Sequence, residues 1–126
     1  MQVFKTKWFT RFVRNERIAD ASLWEAIHRA ERGLIEADLG GGLIKQRVAR
    51  QGKGRSGGYR TIVAYCVGSK EFFLHGFAKS DRDNIREDEL NAFQKFGGRL
   101  LTADPQTLNG MIEDGSLEEV DNDKEE

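Results

Sequence analysis

Seven Lys or Arg side chains and not one Asp or Glu fall between residues 39 and 70: Lys45, Arg47, Arg50, Lys53, Arg55, Arg60 and Lys70. Among them runs a glycine-rich stretch, residues 52–58, followed at once by Tyr59-Arg60-Thr61-Ile62-Val63. Flexible backbone can approach phosphates closely, and fixed positive charge replaces their counterions. The pattern points to a polyanion, RNA or DNA. Such a cluster could also cut RNA without a metal. The 2′-OH attacks the neighbouring phosphorus once a base takes its proton. Cations hold the phosphate charge, and an acid protonates the leaving oxygen.

Residue type suggests who does what. Arginine keeps its proton and can only stabilise charge. A lysine crowded by other cations loses its proton more easily. His75, with an ordinary pKa of about 6.5, suits either proton role. Arg60 is the strongest single candidate, because strand-forming neighbours hold it. Lys45 and Arg47 share one strand face, and His75, Lys79 and Arg82 lie at the end and exit of a later strand. Arg50, Lys53 and Arg55 suit backbone binding better than chemistry, because a glycine-rich loop holds geometry loosely. Tyr59 is the nearest aromatic that could stack on a base, although strand alternation puts it opposite Arg60. His75 sits in an apolar strand, where a hydrogen-bonded core histidine is an equal reading.

Other chemistries find little support. Two histidines and one cysteine do not make a zinc set at motif spacing. No Ser-His-Asp arrangement stands out. The glycines are not followed by Lys-Ser or Lys-Thr at phosphate-loop spacing, nor by a helix. No cofactor is expected.

The whole chain bounds these readings. Its 126 residues suit one domain with one core. Cys66 is the only cysteine, which fits a reduced cytoplasmic home. No apolar run approaches the ~20 residues of a membrane span. The net charge of −1 averages two unlike parts. Of 20 bases and 21 acids, one lysine and eight acids fall in residues 111–126, which leaves the first 110 residues at +6. The domain is expected over residues 1–116, with an acidic, disordered tail over 117–126.

The pattern of apolar residues predicts the elements. Residues 2–8 suit an opening strand, with Phe9 and Phe12 anchoring a short helical turn. Asp20 or Ser22 can cap a helix running toward Leu39, with Leu23, Ile27, Ala30, Leu34 and Ile35 inward. Residues 43–50 alternate with period two, which puts Lys45 and Arg47 on one face and Ile44 and Val48 on the other. Residues 59–67 and 71–78 read as two further strands, the latter buried on both faces. A helix from Asp88 or Glu89 turns Leu90, Phe93, Phe96 and Leu100 inward, and Asp104-Pro105 opens one more.

Ser56-Gly57-Gly58-Tyr59-Arg60, then Phe72-Phe73-Leu74, then Gly76-Phe77-Ala78-Lys79-Ser80-Asp81-Arg82 resemble the RelE/HigB-type toxins of bacterial toxin–antitoxin pairs, in the long-loop HigB-like branch. The resemblance covers roughly residues 2–95. It implies endoribonuclease cleavage of mRNA, free or on the ribosome, and an antitoxin protein as partner. On matching positions it implies roles for Arg60, for Lys45 and Arg47, and for Lys79 and Arg82. Two features depart from the family pattern: Ser80 follows Lys79 where an arginine is usual, and no tyrosine occurs after Tyr65.

The expected fold is α+β: a small, twisted, mostly antiparallel RelE/ParE-like sheet, helices on one face, and a C-terminal helical extension. The expected function is a toxin acting as a metal-independent mRNA endoribonuclease. The alternatives are a non-catalytic toxin that binds DNA gyrase and a regulatory nucleic-acid-binding module.

Overall fold

Alternation in the first residues sends Val3 to one side of a strand and Phe4 to the other, and each enters a separate core. This strand, β1 (Gln2–Thr6), ends where the Thr6 hydroxyl accepts the Phe9 N–H and caps α1 (Lys7–Glu16). A left-handed Arg17 closes α1, and α2 (Asp20–Glu31) returns over the same face. The computed structural model describes residues 1–50, 54–66 (backbone alone at 54–57), 69–78 and 85–121.

The remaining elements are β2 (Ala37–Gly40), β3 (Leu43–Arg50), β4 (Gly54–Tyr65), β5 (Lys70–Ala78), α3 (Glu87–Thr102), α4 (Pro105–Glu113) and β6 (Leu117–Glu119). They form one six-stranded sheet in the order β2-β3-β4-β5-β1-β6. All neighbours are antiparallel except β1 and β5, which run parallel. The fold is therefore α+β and mostly antiparallel, as expected. Helices α1 and α2 cover one face. The C-terminal extension, α3 and α4, covers the other, so both faces carry helices.

Each face has its own core. Phe9, Leu23, Trp24 and Ile27 from α1 and α2 pack on Ile44, Val48, Val63 and Phe73. Leu100 and Leu108 from α3 and α4 pack on Leu43, Ile62, Phe72 and Leu74. Burying such a side chain stabilises the fold by about 1.5–3 kcal/mol. Gly97 lets α3 come close: a Cβ there would lie 2.9 Å from Leu43 Cδ2 and 3.1 Å from the Ala64 Cβ.

Three differences from the sequence expectation matter. The second helix stops at Glu31 rather than near Leu39, and the chain forms β2, an edge strand against β3. Leu34, expected inward, is 53% exposed. At the C-terminus the acidic segment is ordered through β6, which pairs with β1, while residues 122–126 lie outside the described set. Leu117 and Val120 are buried there, and Val120 O accepts the Trp24 indole N–H at 3.2 Å. Two buried apolar side chains and a capped indole outweigh the solvation of the intervening acids.

One irregularity positions the site. Between Ile62 and Val63 the β4–β5 register shifts, with Ile62 opposite His75 and Val63 opposite Phe73. Leu74 is the extra residue of a β-bulge. The bulge lets Leu74, His75 and Phe77 reach the α3 side, although simple alternation would send His75 the other way.

Candidate functional site

The β3–β4 ladder brings the basic residues together. Lys45 pairs with Ile62, and Arg47 with Arg60. All three cations lie on the α3 face, the face that Ile62 shares. Like charges directly opposite one another destabilise a sheet. The connection between α2 and β2 supplies the missing anion. Glu36 donates its backbone N–H to Lys45 O at 3.1 Å, which ties it to β3. Its carboxylate then meets three cations: Arg60 Nε at 2.8 Å and Arg47 Nε at 3.3 Å on Oε1, and Lys45 Nζ at 3.7 Å on Oε2.

The cluster is graded in depth. Arg60 is deepest, its side chain 4% exposed, while Arg47 is 43% exposed. Lys45 and Glu36 lie between them. Arg60 Nη1 is buried with no hydrogen-bond partner among the described residues. Buried donors of this kind are rare in folded proteins. A cleft of about 360 Å³ opens beside Glu36, lined by Arg29, Leu34, Ile35, Gln46 and Arg47. The buried Gln46 amide donates to Ala26 O and Leu34 O at 2.9 and 3.0 Å, which fixes α2 and the start of the connection against β3. Arg29 donates to Arg47 O at 2.6 Å and pairs with Glu25 at 3.1 Å.

The other expected residues fall in three places. His75 is on the same face as Arg60, one strand away. Its ring stacks on Phe93, with centroids 5.1 Å apart, and lies 5.9 Å from Phe77. It helps line a mostly apolar cleft of about 610 Å³ with Trp8, Phe12, Phe93 and Phe96. Tyr59 is on the opposite face, 3% exposed, with its hydroxyl donating to Glu16 at 3.0 Å. Burial first, and Glu16 second, raise its pKa above the usual tyrosine value. A Tyr59 held in the core under Phe12 does not present its ring for base stacking. Arg50 lies over that ring, Cζ 5.4 Å from the centroid, on the α1 side rather than beside Arg60. Lys53, Lys79 and Arg82, and the Arg55 side chain, lie outside the described residues.

Sequence reasoning missed Glu36. It stands three residues before the acid-free window, in a segment read as helix. The detectable signal was Gly40-Gly41-Gly42: a turn there makes 37–40 a strand against β3 and carries Glu36 to Lys45.

A second ionisable cluster sits at the far end of the β4–β5 ladder, where Tyr65 pairs with Glu71. Glu71 is fully buried under the end of α2. Burial first, and then the neighbouring Glu31, push its pKa up to about 9, so it is neutral at physiological pH. Burial, with Glu31 and Glu71 adding, pushes Tyr65 up to about 12. The Tyr65 hydroxyl donates to Ala30 O at 2.9 Å. Among the described residues no helix is long and apolar enough to cross a membrane.

Comparison with known proteins adds one finding. The family model described as "RelE toxin of RelE / RelB toxin-antitoxin system" matches residues 1–120. No curated protein matches the chain.

Proposed function

Because the chain belongs to the RelE toxin family, and is thus the toxin of a toxin–antitoxin system with an antitoxin as partner, we propose that it is a metal-independent endoribonuclease that cleaves mRNA, free or on the ribosome. The observation that carries this reading is the convergence of Lys45, Arg47 and Arg60 on one anion, Glu36. Three cations fixed on paired strands around one anionic position are what a scissile phosphate needs.

The chemistry is internal transfer. The 2′-oxygen forms a bond to phosphorus as its proton leaves to a base. The bond from phosphorus to the 5′-oxygen breaks, and an acid protonates that oxygen. A 2′,3′-cyclic phosphate and a 5′-hydroxyl result. Arg47 and Arg60 stabilise the charge that grows on the phosphate oxygens. Lys45, whose Nζ lies 3.7 Å from Oε2 of Glu36, is the first proton carrier in this reading. His75 and Lys79 are the further proton carriers, and Arg82 adds charge at the strand exit. Arg50, Lys53 and Arg55 add positive charge for the RNA backbone away from the scissile phosphate.

The depth of Arg60 favours a second reading. A guanidinium that is 4% exposed has little access to solvent ligands, which suits a toxin that binds a protein target such as DNA gyrase without cutting RNA. Expression of the chain without its antitoxin separates the two. Growth arrest with new 5′-hydroxyl RNA ends, mapped by primer extension, supports the nuclease. Growth arrest with intact transcripts and broken DNA supports the second reading.

A further inference from the structure

Resting on the ribonuclease reading, we propose that Glu36 is an internal surrogate for the scissile phosphate, which RNA must displace in order to bind. The carboxylate occupies the anion position that Lys45, Arg47 and Arg60 create, at 3.7, 3.3 and 2.8 Å. Arg60, at the bottom of the cluster, is 4% exposed and meets Glu36 at the shortest of the three distances. The carboxylate also satisfies the site incompletely. Two carboxylate oxygens serve three cations, and Arg60 Nη1 stays buried with no partner among the described residues. A tetrahedral phosphate brings more acceptor oxygens, disposed in three dimensions rather than one plane, and can take that donor.

The two sides of the ion cluster differ in how they are held. The cations stand on β3 and β4, each paired with neighbours on both edges. Glu36 stands in the connection between α2 and β2, just outside the strand. Leu34 O and the Glu36 N–H tie the backbone of that connection to β3, so the part free to move is the Glu36 side chain. The cleft of about 360 Å³ beside Glu36 gives its side chain room to withdraw toward Arg29. Exchange can therefore proceed by moving the acid while the cations stay in place. Resting affinity for RNA is then set by competition with a tethered anion, and three cations are kept from desolvation without a partner while the site is empty.

The test is binding of a 2′-O-methyl RNA oligonucleotide, which cannot be cleaved, followed by fluorescence anisotropy across a salt series. Wild type, Glu36→Gln and Glu36→Asp are compared, with thermal unfolding as the check on folding. Glu36→Gln is expected to bind at least about tenfold more tightly. Its plot of log affinity against log salt is expected to be steeper by about one, because cations freed from Glu36 gather counterions that RNA must release. Glu36→Asp keeps the charge but is too short to meet all three cations. It is expected to bind with intermediate affinity, and it carries the test should Glu36→Gln unfold. Affinities and slopes equal to wild type, or weaker binding, in a folded variant would overturn the surrogate role and leave the nuclease reading standing. Absence of oligonucleotide binding by wild type and every folded variant would overturn the surrogate role together with cleavage of free RNA, and leave cleavage on the ribosome standing.

Discussion

Arg47 and Arg60 face each other across β3 and β4, and the Nε atoms of both reach the same oxygen of Glu36, at 3.3 and 2.8 Å. The β-ladder sets two guanidinium groups side by side, and one acid from an adjoining connection keeps them there.

The first prediction concerns stability. Glu36→Gln removes the anion from three cations and leaves Arg60 buried and uncompensated, so it is expected to destabilise the fold by about 3 kcal/mol. Arg60→Met is expected to do less harm, because Lys45 and Arg47 still hold Glu36. The double variant is expected to recover much of the loss, since an apolar side chain replaces the buried charge. Chemical denaturation of the three variants measures this. A larger loss in Arg60→Met than in Glu36→Gln would mean that Arg60 is held chiefly by something other than Glu36.

The second concerns pH. Folded Glu71 keeps its proton up to about pH 9, whereas the ordinary carboxyl value is 4.5. Between those values the folded state binds a proton that the unfolded chain has lost. The contribution of this group is therefore fully favourable below pH 4.5, declines as pH rises, and levels off above about 9. Glu71→Gln mimics the neutral form. It is expected to flatten that decline and to raise the denaturation midpoint at about pH 8 relative to wild type. A midpoint lowered at that pH, or an unchanged pH slope, would place the charge of Glu71 in a favourable environment instead.

Two adjacent glycines in α3 should respond in opposite directions. A Cβ at Gly97 would press on Leu43 and Ala64, at 2.9 and 3.1 Å. Both are packed, so Gly97→Ala is expected to lose stability: overpacking costs about 1–3 kcal/mol against a helix-propensity gain of about 1 kcal/mol. A Cβ at Gly98 meets nothing within 4 Å. Gly98→Ala is therefore expected to gain about 0.5–1 kcal/mol. Thermal unfolding of the pair reports both signs.

Much of this architecture is written locally. Period-two alternation in residues 43–50 sends Lys45 and Arg47 to one face, because side chains of a strand cannot do otherwise. Asp104-Pro105 starts α4 as a cap followed by proline, with the Asp104 carboxylate accepting the Thr107 N–H at 2.8 Å. What resisted reading depends on distant partners. β6 exists because β1 offers it an edge and Trp24 offers Val120 a donor, neither of which acidic composition reveals. The bulge at Leu74 depends on how β5 meets β4, and it decides which face His75 joins. Glu36 is in the basic site only because β2 folds back on β3, and its meaning comes from three cations 9, 11 and 24 residues away in sequence.

Arg47 offers the cleanest test of chemistry, because it is the most exposed member of the cluster and its loss leaves Glu36 paired with Lys45 and Arg60. Removal of one charge-stabilising donor commonly slows a reaction by about a hundredfold or more. The decisive measurement is the rate at which purified wild type and Arg47→Ala generate 5′-hydroxyl ends on a translated mRNA, assayed with ribosomes and without. Wild type should produce such ends in at least one of the two settings, and the folded variant should do so about a hundredfold more slowly. Intact mRNA with wild type in both settings, or equal rates for the two proteins, would contradict an RNA-cleaving role for this cluster.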